Sequence, residues 1–459
     1  LTEALLATSL NGLSTADGSS NTGTGLGQGI DVQQFVTLAV AGQQANITNL
    51  QTEQTGLNSQ TTALQQITTD LNNLQTAADA LSDPLGAFDA LDATTSNSGV
   101  VSATAASTAT SGEHTVTVTN LATTSSYYTN PVATSSTPLT TGSFTVEAGS
   151  NAPVTITVDN TNNTLDELAA SINNQNDGVT ASVITDANGA RLALVSNTSG
   201  APGDLTVSGN TTNLNFNKAV TGINASLTVD GVPVSSTTNS VSGVINGVTL
   251  SLSSPAPTTP VTISVNPDTA QATTAINAFV SAYNTAIGDI NTQFSVNADG
   301  SANGPLEADS SLQQAQQSLL SAIDFSSTTS GTVSNLASIG VNLNNDGTLS
   351  VDSGTLAGAL SANYSDVQNF LQATSTGFAN NLSNTITGLT EPSSGILSLD
   401  ASGIAQSSSD LASQISDLQA ALVVQEQNLT LIYAQVNDTL QQLPLLEAQT
   451  NTQLSSAGG

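Results

Sequence analysis

The side chains able to do chemistry in this chain are few, and their spacing suits catalysis poorly. Histidine occurs once, as His114, beside the carboxylate of Glu113. A base of that kind needs a nucleophile, and the sequence has no glycine-flanked serine elbow to present one. His114 therefore reads as a solvated residue at a strand end. Cysteine is absent, which removes disulfides, thiolate nucleophiles and Cys-ligated zinc, and a lone histidine removes two-histidine metal sites. Gly25, Gly27 and Gly29 have the spacing of a glycine loop, but no strand precedes them and the βαβ unit of a phosphate cradle is missing. The run Asn342-Leu343-Asn344-Asn345-Asp346-Gly347 opens like a calcium loop, yet Ser353 stands where the bidentate Glu is required, and a hairpin fits better. Asp and Glu are scattered through turns and helix starts, where they cap backbone N–H groups. Tyr127, Tyr128 and Lys218 read as packing or linker residues. No catalytic, cofactor-binding or metal-ligating residue is assigned, and no enzyme activity is expected.

Charge narrows the partners. The 459 residues include 34 Asp and Glu against two cations, Arg191 and Lys218, a formal charge of −32. Two isolated cations cannot supply the counterion release that drives nucleic-acid binding, so no nucleic-acid partner is expected. No apolar run approaches the length of a membrane-spanning helix, so no membrane insertion is expected. The first residues, Leu1 to Ser14, lack Lys and Arg, which argues against a secretory signal peptide. With aromatics at 3%, the cores must be aliphatic.

Two helical segments frame the chain. From Asp31 to about Ser82, Leu50, Leu57, Leu64, Leu71 and Ala78 fall seven apart, with Ile67, Leu74 and Leu81 as a second column. Asp83-Pro84 supplies a stop. Near the other end, Leu411, Ile415, Leu418, Leu422, Gln425, Leu429, Ile432 and Val436 alternate spacings of four and three; Leu440 shifts the phase, and Pro444 should break or kink the helix. The two seams imply that the chain ends meet, either as a coiled coil or as helices of one ordinary bundle.

Between them the period changes to two, at Thr115 to Thr119, Val154 to Val158 and Leu227 to Val229. Asp230-Gly231 and Asn188-Gly189 are hairpin dipeptides. Thr164-Leu165-Asp166-Glu167 is a capping box opening a short helix through Ile172. Further helical blocks follow from Thr269, with Ile276, Phe279, Tyr283, Ile287, Ile290 and Phe294, then from Leu312 to Ile323 and from Leu356 to Leu371, with a hairpin at Asn345-Asp346-Gly347. The expected fold class is α+β and multidomain, with terminal α-helical coiled-coil segments and nested, mainly antiparallel β insertions. The expected organisation is a flexible leader over 1–30, a discontinuous helical domain over 31–98 and 268–459, a β domain over 99–128 and 222–267, and an inserted α+β domain over 129–221.

Several segments then resemble one family in colinear order. They are Gly25-Leu26-Gly27-Gln28-Gly29-Ile30-Asp31-Val32 before the polar heptad helix; Val101-Ser102-Ala103-Thr104-Ala105 through His114-Thr115-Val116-Thr117-Val118 to Ala122; Ala225 to Val234; and Ile245-Asn246-Gly247-Val248-Thr249-Leu250. Phe279-Val280-Ser281-Ala282-Tyr283-Asn284, Gly304-Pro305-Leu306-Glu307-Ala308-Asp309 and Ile339-Gly340-Val341 through Asp346-Gly347-Thr348-Leu349 complete the series. Together, over about residues 25–455, they resemble the flagellar hook-associated protein 2, or filament cap, family. Departures are the leader Leu1 to Thr24, the scarcity of Lys and Arg, and Pro444.

The resemblance implies an exported structural protein at the distal tip of a bacterial flagellum, retaining flagellin and promoting its folding and polymerisation. It implies a self-associated ring, usually a pentamer, with flagellin, hook-filament junction proteins and an export chaperone as partners and with no cofactor. Terminal helices would form legs, over Asp31 to Ser82 and Thr269 to Ala457, and the β domains, about Gly99 to Asn266, a plate. Leu429, Ile432, Val436 and Leu440 are the candidate partner or oligomer contacts, with intramolecular core as the competing role for each. A secreted surface adhesin, an S-layer-like protein and a hook-filament junction protein are the alternatives, and adhesion is held open as a side role of the β domains. The cation deficit suits an acidic exterior or compositional economy. It also means that Leu and Ile packing and Gln, Asn and Thr hydrogen bonds must set helix register.

Overall fold

The first helix is long because nothing interrupts it: α1 runs Val32–Ser82 without Pro and stops before Asp83-Pro84, as the sequence predicts. Asp31 starts it, its Oδ1 accepting the Gln34 N–H at 3.1 Å. Eleven Thr and Ser along α1 would lower its helix propensity. Many turn their hydroxyls back onto the carbonyl four residues earlier, as Thr48, Thr55 and Thr68 do at 2.8 to 3.0 Å, so those groups are satisfied without Lys or Glu neighbours. The computed structural model describes residues 31–298, 300–301, 303–327, 331–374 and 376–457. The expected leader, 1–30, with Gly25, Gly27 and Gly29, lies outside the described residues.

After α1 come β1 (Leu91–Thr95), β2 (Val101–Ala105), β3 (Gly112–Asn120), β4 (Thr124–Thr129), β5 (Gly142–Ala148) and β6 (Val154–Val158), then helix α2 (Leu165–Gln175). Next are β7 (Val179–Asp186), β8 (Gly189–Ser199), β9 (Leu205–Ser208), β10 (Phe216–Val220), β11 (Ala225–Val229), β12 (Val232–Ser236), β13 (Ser240–Ile245), β14 (Val248–Leu252) and β15 (Val261–Pro267). The chain returns to helix in α3 (Thr269–Phe294) and α4 (Ser310–Ile323), forms the hairpin β16 (Val341–Leu343) and β17 (Leu349–Val351), and ends with α5 (Ser353–Ala362), α6 (Tyr364–Gln372), α7 (Phe378–Thr390) and α8 (Ile396–Ala457). Backbone contacts divide the described residues into two units, one of 31–69, 291–313 and 389–457, the other of 70–290 and 314–388.

In the second unit, β1-β15-β3-β11-β12 form one antiparallel sheet and β13-β14-β2 another. Both sheets feed one aliphatic core that includes Val101, Val116, Val118, Leu227, Leu250 and Ile263. Sheet β10-β4-β8-β7, sheet β6-β5-β9 and α2 enclose a second core around Phe144, Ile156, Leu168, Leu192 and Leu194. Thr164 caps α2, its hydroxyl accepting the Glu167 N–H at 3.3 Å. Asp230 and Gly231 take φ of 50° and 80°, the two positive values that a tight primed turn between β11 and β12 needs. The helical part of this unit carries a ring cluster: Phe378 is fully buried, 5.5 Å from Phe279 and 5.8 Å from Phe370 between centroids. Asn284 clamps β17, donating to the Leu349 carbonyl at 2.8 Å and accepting its N–H at 2.7 Å.

Several expectations are corrected. Helix α8 is continuous through Pro444. The proline removes one N–H bond, that to the Leu440 carbonyl, from a 62-residue helix; Leu440 is half-buried and the residues from 441 onward are exposed, so the loss falls on a turn open to water. The expected helical block Leu356 to Leu371 is two helices, because Asn363 between them has φ −133°, outside helical values. The turn expected at Asn188-Gly189 lies one residue earlier, at Ala187-Asn188, since Asp186 pairs directly with Gly189. Strand β1, within the stretch expected to be helical domain, pairs in full with β15.

Candidate functional site

The terminal helices meet within the first unit. They run antiparallel: the Phe35 and Tyr433 rings lie 5.8 Å apart, Gln43 Nε2 donates to Gln425 Oε1 at 3.1 Å, and Ser408 Oγ donates to Asn58 Oδ1 at 2.7 Å. Apolar rungs lie between these polar contacts. Val40, Ile47, Leu411, Ile415 and Leu422 form a buried cluster on which Leu50, Leu57 and Leu429 pack. Gln425, read from the sequence as a polar residue in a core slot, thus finds an amide opposite it. Register comes from one amide pair, a Ser–Asn hydrogen bond and aliphatic packing, and none of the three ion pairs among the described residues joins these helices. Leu418, expected in the seam, is 36% exposed.

The four candidate contacts share α8 but differ in surroundings. Leu429 is half-buried against the seam cluster, Ile432 and Val436 are 54% and 43% exposed, and Leu440 is half-buried. From Val436 onward the helix keeps apolar residues with no cover among the described residues: Leu443, Leu445, Leu446 and Leu454 are all exposed. Val423, Val424 and Leu431 are exposed too, although they lie off the seam positions. The alternating four-and-three spacing does not include them; their signal in the sequence is apolar residues at the intervening positions. Gln33, Val36, Thr37, Val423, Glu426, Gln427, Thr430 and Leu431 line a shallow groove beside the pair.

The residues that looked chemically able have structural duties. His114 lies within β3 and its Nδ1 is 2.8 Å from Asp230 Oδ2, so its partner is Asp230, not the adjacent Glu113. Asp230 Oδ1 also accepts the Thr115 N–H at 2.8 Å. The His114 hydrogen bond, then that of Thr115, holds the Asp230 carboxyl below its usual range. Lys218 and Tyr127 are strand residues, not linker: Lys218 Nζ lies 2.8 Å from Asp204 and 5.7 Å from the Tyr127 ring centre. Burial pushes Asp204 up, but Lys218, the Gly222 N–H and Ser125 outweigh it and the carboxyl is lowered. Asp346 accepts from the Thr348 hydroxyl at 2.6 Å and N–H at 3.0 Å, which closes the β16–β17 hairpin and lowers its own pKa. Among the described residues no group of three or more His, Cys, Asp or Glu could hold a metal, and no helix is long and apolar enough to cross a membrane.

A polar two-helix seam from opposite ends of the described sequence, nested antiparallel β modules between its helices in sequence, and an apolar helical stripe uncovered among the described residues define an α+β assembly protein of the coiled-coil-and-insertion kind. Family models narrow the class. The flagellar hook-associated protein 2 N-terminus matches residues 28–125 and its C-terminus residues 222–444, more than half of the chain between them, while a flagellin hook IN motif matches 140–198. The chain belongs to the flagellar hook-associated protein 2 family.

Relatives agree. The chain is 32% identical over 212 residues to the B-type flagellar hook-associated protein 2 of Pseudomonas aeruginosa, covering 45% of this chain and 44% of that protein. It is 29% identical over 147 residues to the flagellar hook-associated protein 2 of Helicobacter pylori, covering 32% and 22%. The matched segments thus span less than half the length of these relatives. The crystal structure of the D1-D2-D3 domains of the flagellar cap protein FliD from Escherichia coli is similar at a TM-score of 0.53 and 28% identity, over 75% of this chain and 99% of that one.

Proposed function

We propose that the chain caps the distal tip of a bacterial flagellar filament, outside the cell, where it retains exported flagellin and promotes its folding and polymerisation. The observation that carries this reading is the likeness to the Escherichia coli cap protein, which takes in three quarters of this chain. The terminal helices act as legs toward the filament and the β modules as a plate. Subunits associate into a ring, most simply a pentamer, and the partners are flagellin, the hook-filament junction proteins and an export chaperone. The uncovered apolar stripe on α8 supports this, because Ile432, Val436, Leu440, Leu443 and Leu454 offer helical contacts that the described chain leaves unused. A ring that steps as subunits insert needs contacts that are individually weak, and a polar surface poor in aromatics suits that. The adhesin, S-layer and junction readings gain no support.

The test is complementation of a flagellated strain that lacks its own protein of this family, together with imaging of the purified chain. Restored filaments, less flagellin in the medium and small closed rings are expected. Sheets, fibres or isolated rods, with continued flagellin leakage, would overturn the proposal.

A further inference from the structure

Two contacts in the helical framework set carboxyl against carboxyl. Asp309 precedes α4 and caps it, its Oδ1 accepting the Leu312 N–H at 2.9 Å. The Asp309 side chain also meets that of Asp400, on the second turn of α8, to which the Ser311 side chain is hydrogen-bonded. Asp400 Oδ2 is closed off from solvent and no donor reaches it. Ionised carboxylates only accept hydrogen bonds, so this contact is satisfied only when the pair holds a proton. Because a helix N-terminus favours a negative cap, the proton belongs on Asp400. Asp309 is the titratable group acting on Asp400. No cation substitutes, since Arg191 and Lys218 lie on β8 and β10, against Asp186 and Asp204. In the second, Asp70 on α1, 5% exposed, is the carboxyl acting on Asp289 of α3.

We propose that Asp309 and Asp400 form an acid-closed latch, which holds the start of α8 to the cap of α4 while one proton is shared and releases it when that proton leaves. Burial, then the neighbouring Asp309, pushes Asp400 up to about 6 from an ordinary 3.8. A folded value above the unfolded one means that the stabilisation is complete below about pH 4 and is lost as pH rises through about 6. Asp289 is raised by burial and then by Asp70, and responds in the same direction. The latch is therefore held more tightly in mildly acidic surroundings and opens more readily at neutrality.

Hydrogen exchange on the full chain tests this, followed in peptides spanning 306–313 and 396–404 and corrected for intrinsic rate. Values of about 6 closed and 3.8 open make the opening constant about tenfold larger at pH 7.5 than at pH 5. Solvent screening at this half-exposed site reduces the expectation to between about three- and tenfold. In Asp400→Asn the amide donates permanently, and both peptides should stay protected at both pH values. In Asp309→Ser the cap survives without its carboxyl, and the pH dependence should vanish. A flat wild-type profile, or either variant retaining the wild-type dependence, overturns the proposal.

Discussion

Replacing Ile432 and Val436 together with Asp separates a partner surface from an internal one. Full burial of an Ile or Val side chain contributes about 1.5–3 kcal/mol. In the folded chain these two remain 54% and 43% exposed, so each substitution removes about 0.7–1.7 kcal/mol of internal stabilisation. A domain of this size shifts its melting temperature by about 2–4 °C per kcal/mol, so the variant should melt within about 12 °C of the parent. If the stripe docks on a partner, two residues worth about 2 kcal/mol each there would weaken binding by nearly three orders of magnitude. Filaments should then be short or absent and unpolymerised flagellin should appear in the medium. Ile415→Asp is the contrasting control: at 6% exposure it places a charge inside the seam at a cost of about 3 kcal/mol or more, and should melt the helical pair itself. Normal filaments from the double variant, exported at normal levels, would refute the assignment of this stripe as a contact surface.

Phe378→Ala should lower stability by about 3–5 kcal/mol, because a fully buried ring is removed from between Phe279, Phe325 and Phe370; a melting shift under about 6 °C would contradict the cluster's role. Pro444→Ala should restore a backbone bond and relieve about 3 kcal/mol of local strain, read as slower amide exchange over 438–448 with no change in the β modules. Melting followed from pH 3 to pH 8 should peak between about pH 4 and pH 6. The lowered carboxyls of Asp230, Asp204 and Asp346 stabilise the fold above their unfolded range and lose that effect as pH falls through their folded values. The raised carboxyls of Asp289 and Asp400 lose theirs as pH climbs. Asp230→Asn should flatten only the acid limb, and a steady rise in stability to pH 8 would count against this balance.

Local spacing in the sequence was a good guide wherever one element carries its own signal. The heptads of α1, the Asp83-Pro84 stop, the Thr164 cap and the Asp230-Gly231 turn all depend on residues within a few positions of one another, and each is where the spacing predicts. Contacts that close over long separations were not legible. His114 and Asp230 are 116 residues apart, and nothing in either segment points to the other. The carboxyl pairs were equally hidden, because a single Asp in a helix carries no mark of a second Asp opposite. Pro444 does not break the helix because its cost is confined to one turn of a 62-residue helix. Leu429 stood apart from Ile432 and Val436 only once the antiparallel partner was seen to reach the first and not the others.

The Gln43–Gln425 bond joins residues 382 positions apart, while the pairings among β7, β8, β11, β12, β13 and β14 are mostly between neighbours in sequence. Loop closure that long is entropically expensive until the intervening chain has compacted. The β hairpins should therefore order first, and the terminal helices should zip last. A chain delivered from its N-terminus would carry an unpaired α1 for nearly the whole of its emergence. Its polar, hydroxyl-rich surface, with no cations to recruit acidic strangers, would keep that waiting helix from pairing wrongly before α8 arrives.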